Sequence, residues 1–316
     1  MEAMTVLRRI RRTTGISRLD RPSRPRGSAA ARRLPIALAI APLLAACERV
    51  VDIDLDEGPT RLVVEGRIEL VKEAPSGFQR IRLSTTHDFF SNAPTPPATG
   101  AAVTVRDDAG GVFPFVESSP GTYTTDGLAA SIGTTYSIEI VWGGDTYTAS
   151  STVHAVPPIE RLYLVFEEES LIVEEEGYRA TIDYTDPAGV ENYYLWEQVV
   201  NGEIALLPDP GNAFNLISED RFYDGQAVRA YQPNDEIALQ PGQTVEIRQI
   251  ALARDTYDYY VALFEQNALG SGDPFSIPPA DVRGNVRNVT DPARPALGYF
   301  EASEVSVASA VVSDSN

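Results

Sequence analysis

The chain has 316 residues, with 26 lysines and arginines against 45 aspartates and glutamates, and its formal net charge is −19 at pH 7. This balance excludes nucleic acid as a natural partner, because affinity for nucleic acid comes mainly from basic side chains that neutralise phosphates. Hydrophobic residues make up 43% of the chain, which predicts a packed core rather than disorder.

The first 46 residues have the pattern of a secretory signal. Ten arginines lie before residue 34, and the uncharged, apolar run 34–46 follows them. That run has 13 residues, which is too short to span a bilayer, since a membrane-spanning helix needs about 20 apolar residues. We therefore predict that residues 1–46 are a signal peptide; Met4 or a later residue is an alternative start.

The segment Leu44-Ala45-Ala46-Cys47 has the form of a lipobox. We predict cleavage before Cys47 and attachment of diacylglycerol and an acyl chain to it, because a thiolate is the nucleophile that accepts the lipid. Cys47 is the only cysteine, and a lone cysteine in an exported protein is otherwise an unpaired thiol. The alternative is an ordinary signal peptide with a chance cysteine. We predict no cofactor beyond this lipid.

Cleavage of the signal segment would increase the excess of acidic over basic residues in the chain. The signal segment carries ten basic and two acidic residues, so its removal leaves 16 basic against 43 acidic residues. Such a surface disfavours direct contact with anionic lipids. We therefore expect the lipid anchor itself to be the contact with the membrane, which we predict to be the outer membrane, with the periplasmic face and the cell surface left open.

Hydrophobic residues alternate with polar ones along much of the chain, which predicts a mainly β fold. Turn residues between short strands indicate an immunoglobulin-like β-sandwich over residues 47–155. Consecutive prolines at 157–158 favour a stiff, extended break, so a second β-rich domain is predicted over 156–316. The predicted strands are 61–70, 79–85, 101–106, 112–116, 135–141, 145–153, 160–167, 178–184, 192–200, 226–232, 244–253 and 297–312.

One or two short helices are expected in the second domain. Residues 213–222 are a short candidate. Residues 255–267 are the better one, because apolar residues recur there near helical spacing and Asp255 is placed to cap the start.

The inventory of reactive residues predicts a protein that is not an enzyme. The only histidines, His87 and His154, lack the spacing of a metal-binding pair, and no nucleophile or phosphate-binding motif is present. The acidic run 52–58 begins like a calcium-binding loop, but its glycine falls one place late and position twelve is Val63. We predict a half-exposed strand there and no metal site. His87-Asp88 is predicted to be a solvated strand end.

Two loops carry candidate partner-contact residues. Phe89 and Phe90 lie beside prolines in the loop 87–100, and Phe275 and Ile277 lie in the Pro/Gly-rich loop 269–285. Apolar side chains on stiff loops suit a protein interface, because little entropy is lost on binding. The alternative is that these side chains fill the ends of the β-sandwich core.

The sequence resembles the Bacteroidota lipoproteins grouped as domain of unknown function family 4249. The resemblance lies in Cys47-Glu48 followed by VVDIDLDEGPTRLVVEGRI, then AAVTVRDDAGG, GTYTT, GTTYSIEIVWGGDTYTASSTVHAVPPI, GDPFSIPPADVRGNVRN and ALGYFEASEV, in this order. It implies an exported envelope lipoprotein, commonly encoded near TonB-dependent outer-membrane receptors. It implies no activity and no catalytic residues, so Cys47 alone is carried over from it.

Three functions remain open at this point. The first is a non-catalytic outer-membrane lipoprotein that serves as an accessory binding module of a TonB-dependent transport system, with its ligand unknown. The second is a structural or adhesive envelope protein. The third is a hydrolase that uses carboxylates, which the sequence does not single out.

Overall fold

Strands make up most of the regular structure in the computed structural model, so the predicted mainly β fold is confirmed. The structure describes residues 58–87, 93–170, 173, 175–205, 210–269 and 282–313. The strands before residue 155 are β1 (Leu62–Val71), β2 (Gln79–Thr85), β3 (Ala102–Asp107), β4 (Val112–Ser119), β5 (Thr122–Thr125), β6 (Thr135–Trp142) and β7 (Asp145–Thr152). The later strands are β8 (Arg161–Glu167), β9 (Gly177–Thr185), β10 (Tyr193–Val200), β11 (Glu203–Ile204), β12 (Ile217–Glu219), β13 (Ala227–Tyr231), β14 (Thr244–Leu252), β15 (Arg287–Asn288) and β16 (Leu297–Val311). The helix α1 spans Arg254–Leu269, and short 3-10 helices span Pro210–Leu216 and Asp220–Phe222.

The first seven strands form a β-sandwich. The order β1-β2-β5 makes one sheet and β4-β3-β6-β7 makes the other, with β4 also pairing with β5 and so joining the two. Alternate residues of both sheets, such as Val64 and Ile81 from the first and Val105 and Ile140 from the second, meet in one buried core. Seven strands in two packed sheets are the immunoglobulin-like arrangement expected from the sequence.

The second half of the chain has three layers. Strands β10, β14 and β16 extend the sheet that contains β1, and the separate sheet β13-β9-β8 covers one of its faces. Tyr184, Trp196 and Ile247 belong to the core between these two sheets. On the opposite face, Tyr260 and Phe264 of α1 pack over the buried Ile250. Among the described residues, no helix is long and apolar enough to cross a membrane.

Strand β16 connects the two halves of the described chain. It pairs in parallel with β1 through residues 297–305 and antiparallel with β14 through residues 305–311. The described residues belong to one compact unit. The proposed boundary at residue 156 stays a prediction, and two separate buried cores lie mainly before and after it.

The proline-containing connection between the halves is fixed to β16. The main-chain N–H of Val156 donates to Glu304 Oε2 at 2.9 Å, and that of Ile159 donates to Ser306 Oγ at 3.0 Å. The ammonium of Lys72 lies 3.0 Å from the same Glu304 oxygen. The connection is therefore held by side chains of the strand that both halves share.

The local predictions mostly agree with the structure. The predicted strands 135–141 and 145–153 are β6 and β7, joined by a hairpin turn at residues 143–144, and both glycines have the positive φ angles that a two-residue turn requires. The helix predicted at 255–267 is α1, although Asp255 lies in its first turn rather than before it. The helix predicted at 213–222 is wrong in detail: β12 lies within this segment, because it pairs with the start of β10, and only 3-10 turns flank it.

Candidate functional site

The residues singled out in the sequence fall mostly outside the described part of the chain. Cys47, Phe89, Phe90, Phe275 and Ile277 all lie there, as do residues 52–57 of the acidic run and Asp88. The described histidines, His87 and His154, are both exposed. The described part of the chain therefore shows no contact between any two of the predicted site residues.

A cleft of about 430 Å³ opens at one end of the second half. Three segments form it: the loop 186–192 between β9 and β10, the segment 219–226 between β12 and β13, and the start of α1. Loops at the end of packed sheets are common positions for binding sites, because the strands hold them in place. The cleft is lined by Gly189, Val190, Glu191, Glu219, Asp220, Arg221, Asp224 and Arg254.

Three carboxylates, Asp186, Asp220 and Asp224, lie together at this cleft. Each offers one oxygen within 4.8 Å of the oxygens of the other two. Asp186 and Asp220 are buried, and Asp224 is exposed. Among the described residues, these are the side chains close enough to share a cation, and exposed acidic groups often cluster without one.

The two loops are hydrogen-bonded to each other through these carboxylates. Asp186 accepts from the main-chain N–H of Gly225 at 3.0 Å, and Asp224 accepts from that of Gly189 at 2.7 Å. Each loop thus supplies a carboxylate to a glycine of the other. Asp186 also accepts from the Tyr194 hydroxyl at 2.5 Å. The acceptor capacity of a carboxylate suits it to bind several such donors.

Asp220 is the least favourably placed of the three carboxylates. It accepts from the main-chain N–H of Asn192 at 2.8 Å. Burial raises its pKa above the ordinary value, and the charges of Asp186, Asp224 and Glu191 raise it further, against the effect of the Asn192 hydrogen bond. A positive charge in the cleft would relieve this repulsion.

The two arginines that line the cleft are already paired with acids on its rim. Arg221 forms an ion pair with Glu219, and Arg254 lies 3.4 Å from Glu191. The lining residues include no histidine, cysteine or lysine. The arrangement suits recognition of a positive group more than proton transfer or nucleophilic attack, which need a tuned base or an activated nucleophile.

A second cluster of charged side chains lies beneath α1. The Arg67 guanidinium bonds to Glu301 and, at 2.7 Å, to Glu197; the Arg248 guanidinium contacts Glu197 at 3.2 Å and Glu69 at 2.7 Å. These side chains come from four neighbouring strands of one sheet. The cluster ties those strands together, and we assign it a structural role.

Sequence reasoning missed the cleft for a physical reason. Two of its three carboxylates stand in Asp186-Pro187-Ala188-Gly189 and Asp224-Gly225, which are ordinary turn sequences. Nothing local indicates that the two turns meet, since the meeting depends on how β9, β10, β12 and β13 pair. The repeated combination of aspartate with a turn glycine is the one signal that could have drawn notice.

The family model described as "Domain of unknown function (DUF4249)" matches residues 48–309. The chain belongs to this family. No curated protein matches the chain. A solved structure of a segment with two fibronectin type III domains from chicken tenascin is similar to it, with 16% identity over 62% of this chain and 91% of that one, and a TM-score of 0.18. A likeness of this score carries no conclusion about fold or function.

Proposed function

We propose that this chain is a non-catalytic binding module, attached to the outer membrane by lipid on Cys47 and accessory to a TonB-dependent transport system. The observation that carries the proposal is the cleft at the ends of β10 and β14. It is formed by two loops joined by mutual hydrogen bonds, and three carboxylates lie together at it, two of them buried and one exposed. A preformed polar cleft of this kind favours recognition.

The predicted lipid anchor supports an envelope role. Cys47 follows a basic segment, a short apolar core and small residues, and the family match begins one residue after it. A module tethered in this way acts at high effective concentration on any receptor in the same membrane. That is the advantage an accessory protein gains from a lipid anchor.

One observation favours the structural or adhesive alternative. Glu304 and Ser306 fix the connection at residues 156–159, so the two halves cannot swing about it freely. A fixed pair of β-rich units is also what a spacer requires. In that case the cleft would have no specific partner.

Co-purification from the outer membrane separates these functions. The full-length protein with a C-terminal affinity tag is extracted from producing cells in mild detergent, and the proteins that accompany it are identified by mass spectrometry. The Cys47→Ser variant, which cannot accept lipid, is the control. A TonB-dependent receptor in stoichiometric amount with the lipidated protein is the expected result. Recovery of the lipidated protein alone would contradict the proposal and favour the structural role.

A further inference from the structure

Two exposed apolar residues lie in the segments that form the cleft: Val190 lines it, and Phe222 lies after β12, where the Arg221 guanidinium is 5.2 Å from the centre of its ring. Val190 lies on the first loop with 55% of its surface exposed, and Phe222 follows Asp220 with 82% exposed. Phe222 is the most exposed large hydrophobic residue of the described chain. Single exposed apolar side chains are ordinary on a protein surface, but next to a polar cleft they add apolar contact area to the polar contacts a partner can make there.

The backbone on both sides of the cleft is held in place before any partner arrives. Phe222 ends the 3-10 helix Asp220–Phe222, and the next residue, Tyr223, donates its hydroxyl proton to Ser218 at 2.8 Å. The hydrogen bonds of Gly189 and Gly225 link the two loops. A backbone that is already fixed loses little conformational entropy on binding, so an aromatic side chain carried on it makes an effective anchor.

The net charge around the cleft is negative. Five acids stand in or beside the cleft, whereas its two arginines, Arg221 and Arg254, are each already paired with one of those acids. The five acids are Asp186, Glu191, Glu219, Asp220 and Asp224. The surface therefore complements a cation, and it would repel the anionic headgroups of a membrane surface.

We propose that the loop-end surface, defined as Val190, Phe222, Asp220 and Asp224, docks a polypeptide segment of the partner protein that carries an arginine or lysine next to an apolar side chain. The cation enters the cleft against Asp220 and Asp224, and the apolar side chain packs on Phe222 and Val190. The inference rests on the proposed function and names the chemistry of the partner.

Site-specific photo-crosslinking in producing cells tests this docking. A photoreactive phenylalanine analogue replaces Phe222 in one strain. In the control strain it replaces Phe78, which is 52% exposed and lies in the first half of the chain. The expected result is a crosslink from position 222, but not from position 78, to a receptor segment with a basic residue close to the attachment point.

Charge variants in the same strains test the electrostatic part. Asp224→Lys places a positive charge on the exposed rim of the cleft and is expected to lower the crosslink yield about tenfold or more, because like charges oppose docking. Asp224→Asn is expected to lower it less. Glu139→Lys, an exposed site on β6, is the matched control and is expected to leave the yield unchanged. The thermal unfolding midpoint of each purified variant verifies folding.

Failure of this inference is distinguishable from failure of the proposed function. A receptor that co-purifies but never crosslinks at position 222, or crosslinks there equally in the Asp224→Lys variant, overturns the docking surface and leaves the function. A crosslink to a segment without basic residues also overturns it. The absence of any receptor complex contradicts both.

Discussion

Arg67 in the first strand of the described chain and Glu301 in the last are register partners in the parallel pair β1–β16 and form an ion pair beneath α1. They are 234 residues apart in sequence. Arg67 bonds to Glu197 of β10 as well, so one guanidinium connects three strands of the sheet. Arg67 therefore links strands from both halves of the chain.

Replacing Arg67 by methionine is expected to lower the free energy of unfolding by about 3 kcal/mol, because removal of one partner leaves buried carboxylates without compensation. Urea denaturation of the protein without its signal segment measures the effect. Arg82→Met is the control, since Arg82 forms an exposed pair with Glu65 at 3.5 Å. Such pairs contribute between about 0 and 1 kcal/mol. Equal losses in the two variants would refute the assigned role.

The two glutamates that share Arg67 are expected to respond to pH in opposite directions. Burial raises the pKa of Glu197, but Arg67 and Arg248 outweigh it, and the pKa lies below the ordinary value of 4.5. Burial also raises the pKa of Glu301, and there Arg67 offsets it only in part, so the pKa lies above 4.5. Stability from Glu197 is therefore lost as pH falls below about 4.5. Protonation of Glu301 stabilises the fold as pH falls towards 4.5 from above.

Urea denaturation of Glu197→Gln and Glu301→Gln at pH 7, at pH 5 and at pH 3 checks these signs. As pH falls from 7 to 5, the free energy of unfolding of the wild-type protein is expected to gain a contribution from protonation of Glu301. The Glu301→Gln variant is expected to lack this contribution. Glu197→Gln is expected to be the less stable variant at pH 7, and to approach the wild-type protein only below pH 4.5. The same pH profile for both variants would show that the charges do not act as described.

Glu304 is expected to control the connection between the halves. Its Oε2 accepts from the Val156 N–H and lies 3.0 Å from Lys72. Replacing Glu304 by alanine leaves a buried donor without a partner, which costs about 1–3 kcal/mol. Hydrogen exchange of the main-chain amides of residues 154–156 and of Ile159 is expected to quicken in this variant. Lys72→Met, which leaves the Val156 hydrogen bond in place, is the control, and similar exchange in both variants would contradict this role of Glu304.

Gly298 is expected to tolerate no side chain. Its φ is +81°, and an added Cβ would lie 2.1 Å from the Val64 carbonyl oxygen of the paired strand. Gly298→Ala should therefore cost roughly 2–4 kcal/mol from backbone strain and overpacking together. Gly110 also has a positive φ, but a Cβ there would meet nothing within 4 Å. Gly110→Ala should cost about 1–2 kcal/mol, and thermal unfolding of both variants measures the difference.

Asp220→Asn is expected to stabilise the protein at pH 7 by up to about 1 kcal/mol while weakening partner binding, a trade-off common at binding sites. The substitution removes a charge whose pKa is raised by burial and by neighbouring acids. An amide oxygen can still accept from Asn192. Glu139→Gln, on the exposed face of β6, should change neither property. A less stable Asp220→Asn variant would show that the carboxylate is satisfied in the native cleft.

The bounds of the strands in which hydrophobic and polar residues alternate strongly were predictable to within a few residues. A strand with one buried face has this alternation in its own sequence. The short strands β5, β11, β12 and β15 were not predicted, since two to four residues carry too little pattern and pair only where a neighbour is present. The parallel pairing of β1 with β16 could not be predicted from the sequence either. It joins segments from opposite ends of the chain.

The cleft and the Arg67 cluster could not be predicted from the sequence either, because both depend on contacts between distant segments of the chain. Alternation in β1 places Arg67 on one face together with Glu69, which is typical of a solvated strand face. Only the presence of α1 and β10 turns that face into a buried one. Asp186 and Asp224 likewise meet because two loops, each of which joins one sheet to the other, lie side by side, and no turn sequence encodes that arrangement.

Lipid attachment at Cys47 is the claim on which the proposed envelope function depends most. The most direct test is the intact mass of the protein extracted from membranes of producing cells. We expect a chain that begins at Cys47 and carries the added mass of a diacylglyceryl group and one amide-linked acyl chain, with residues 1–46 absent. A chain without the lipid mass, or one whose first residue is not Cys47, would contradict the account.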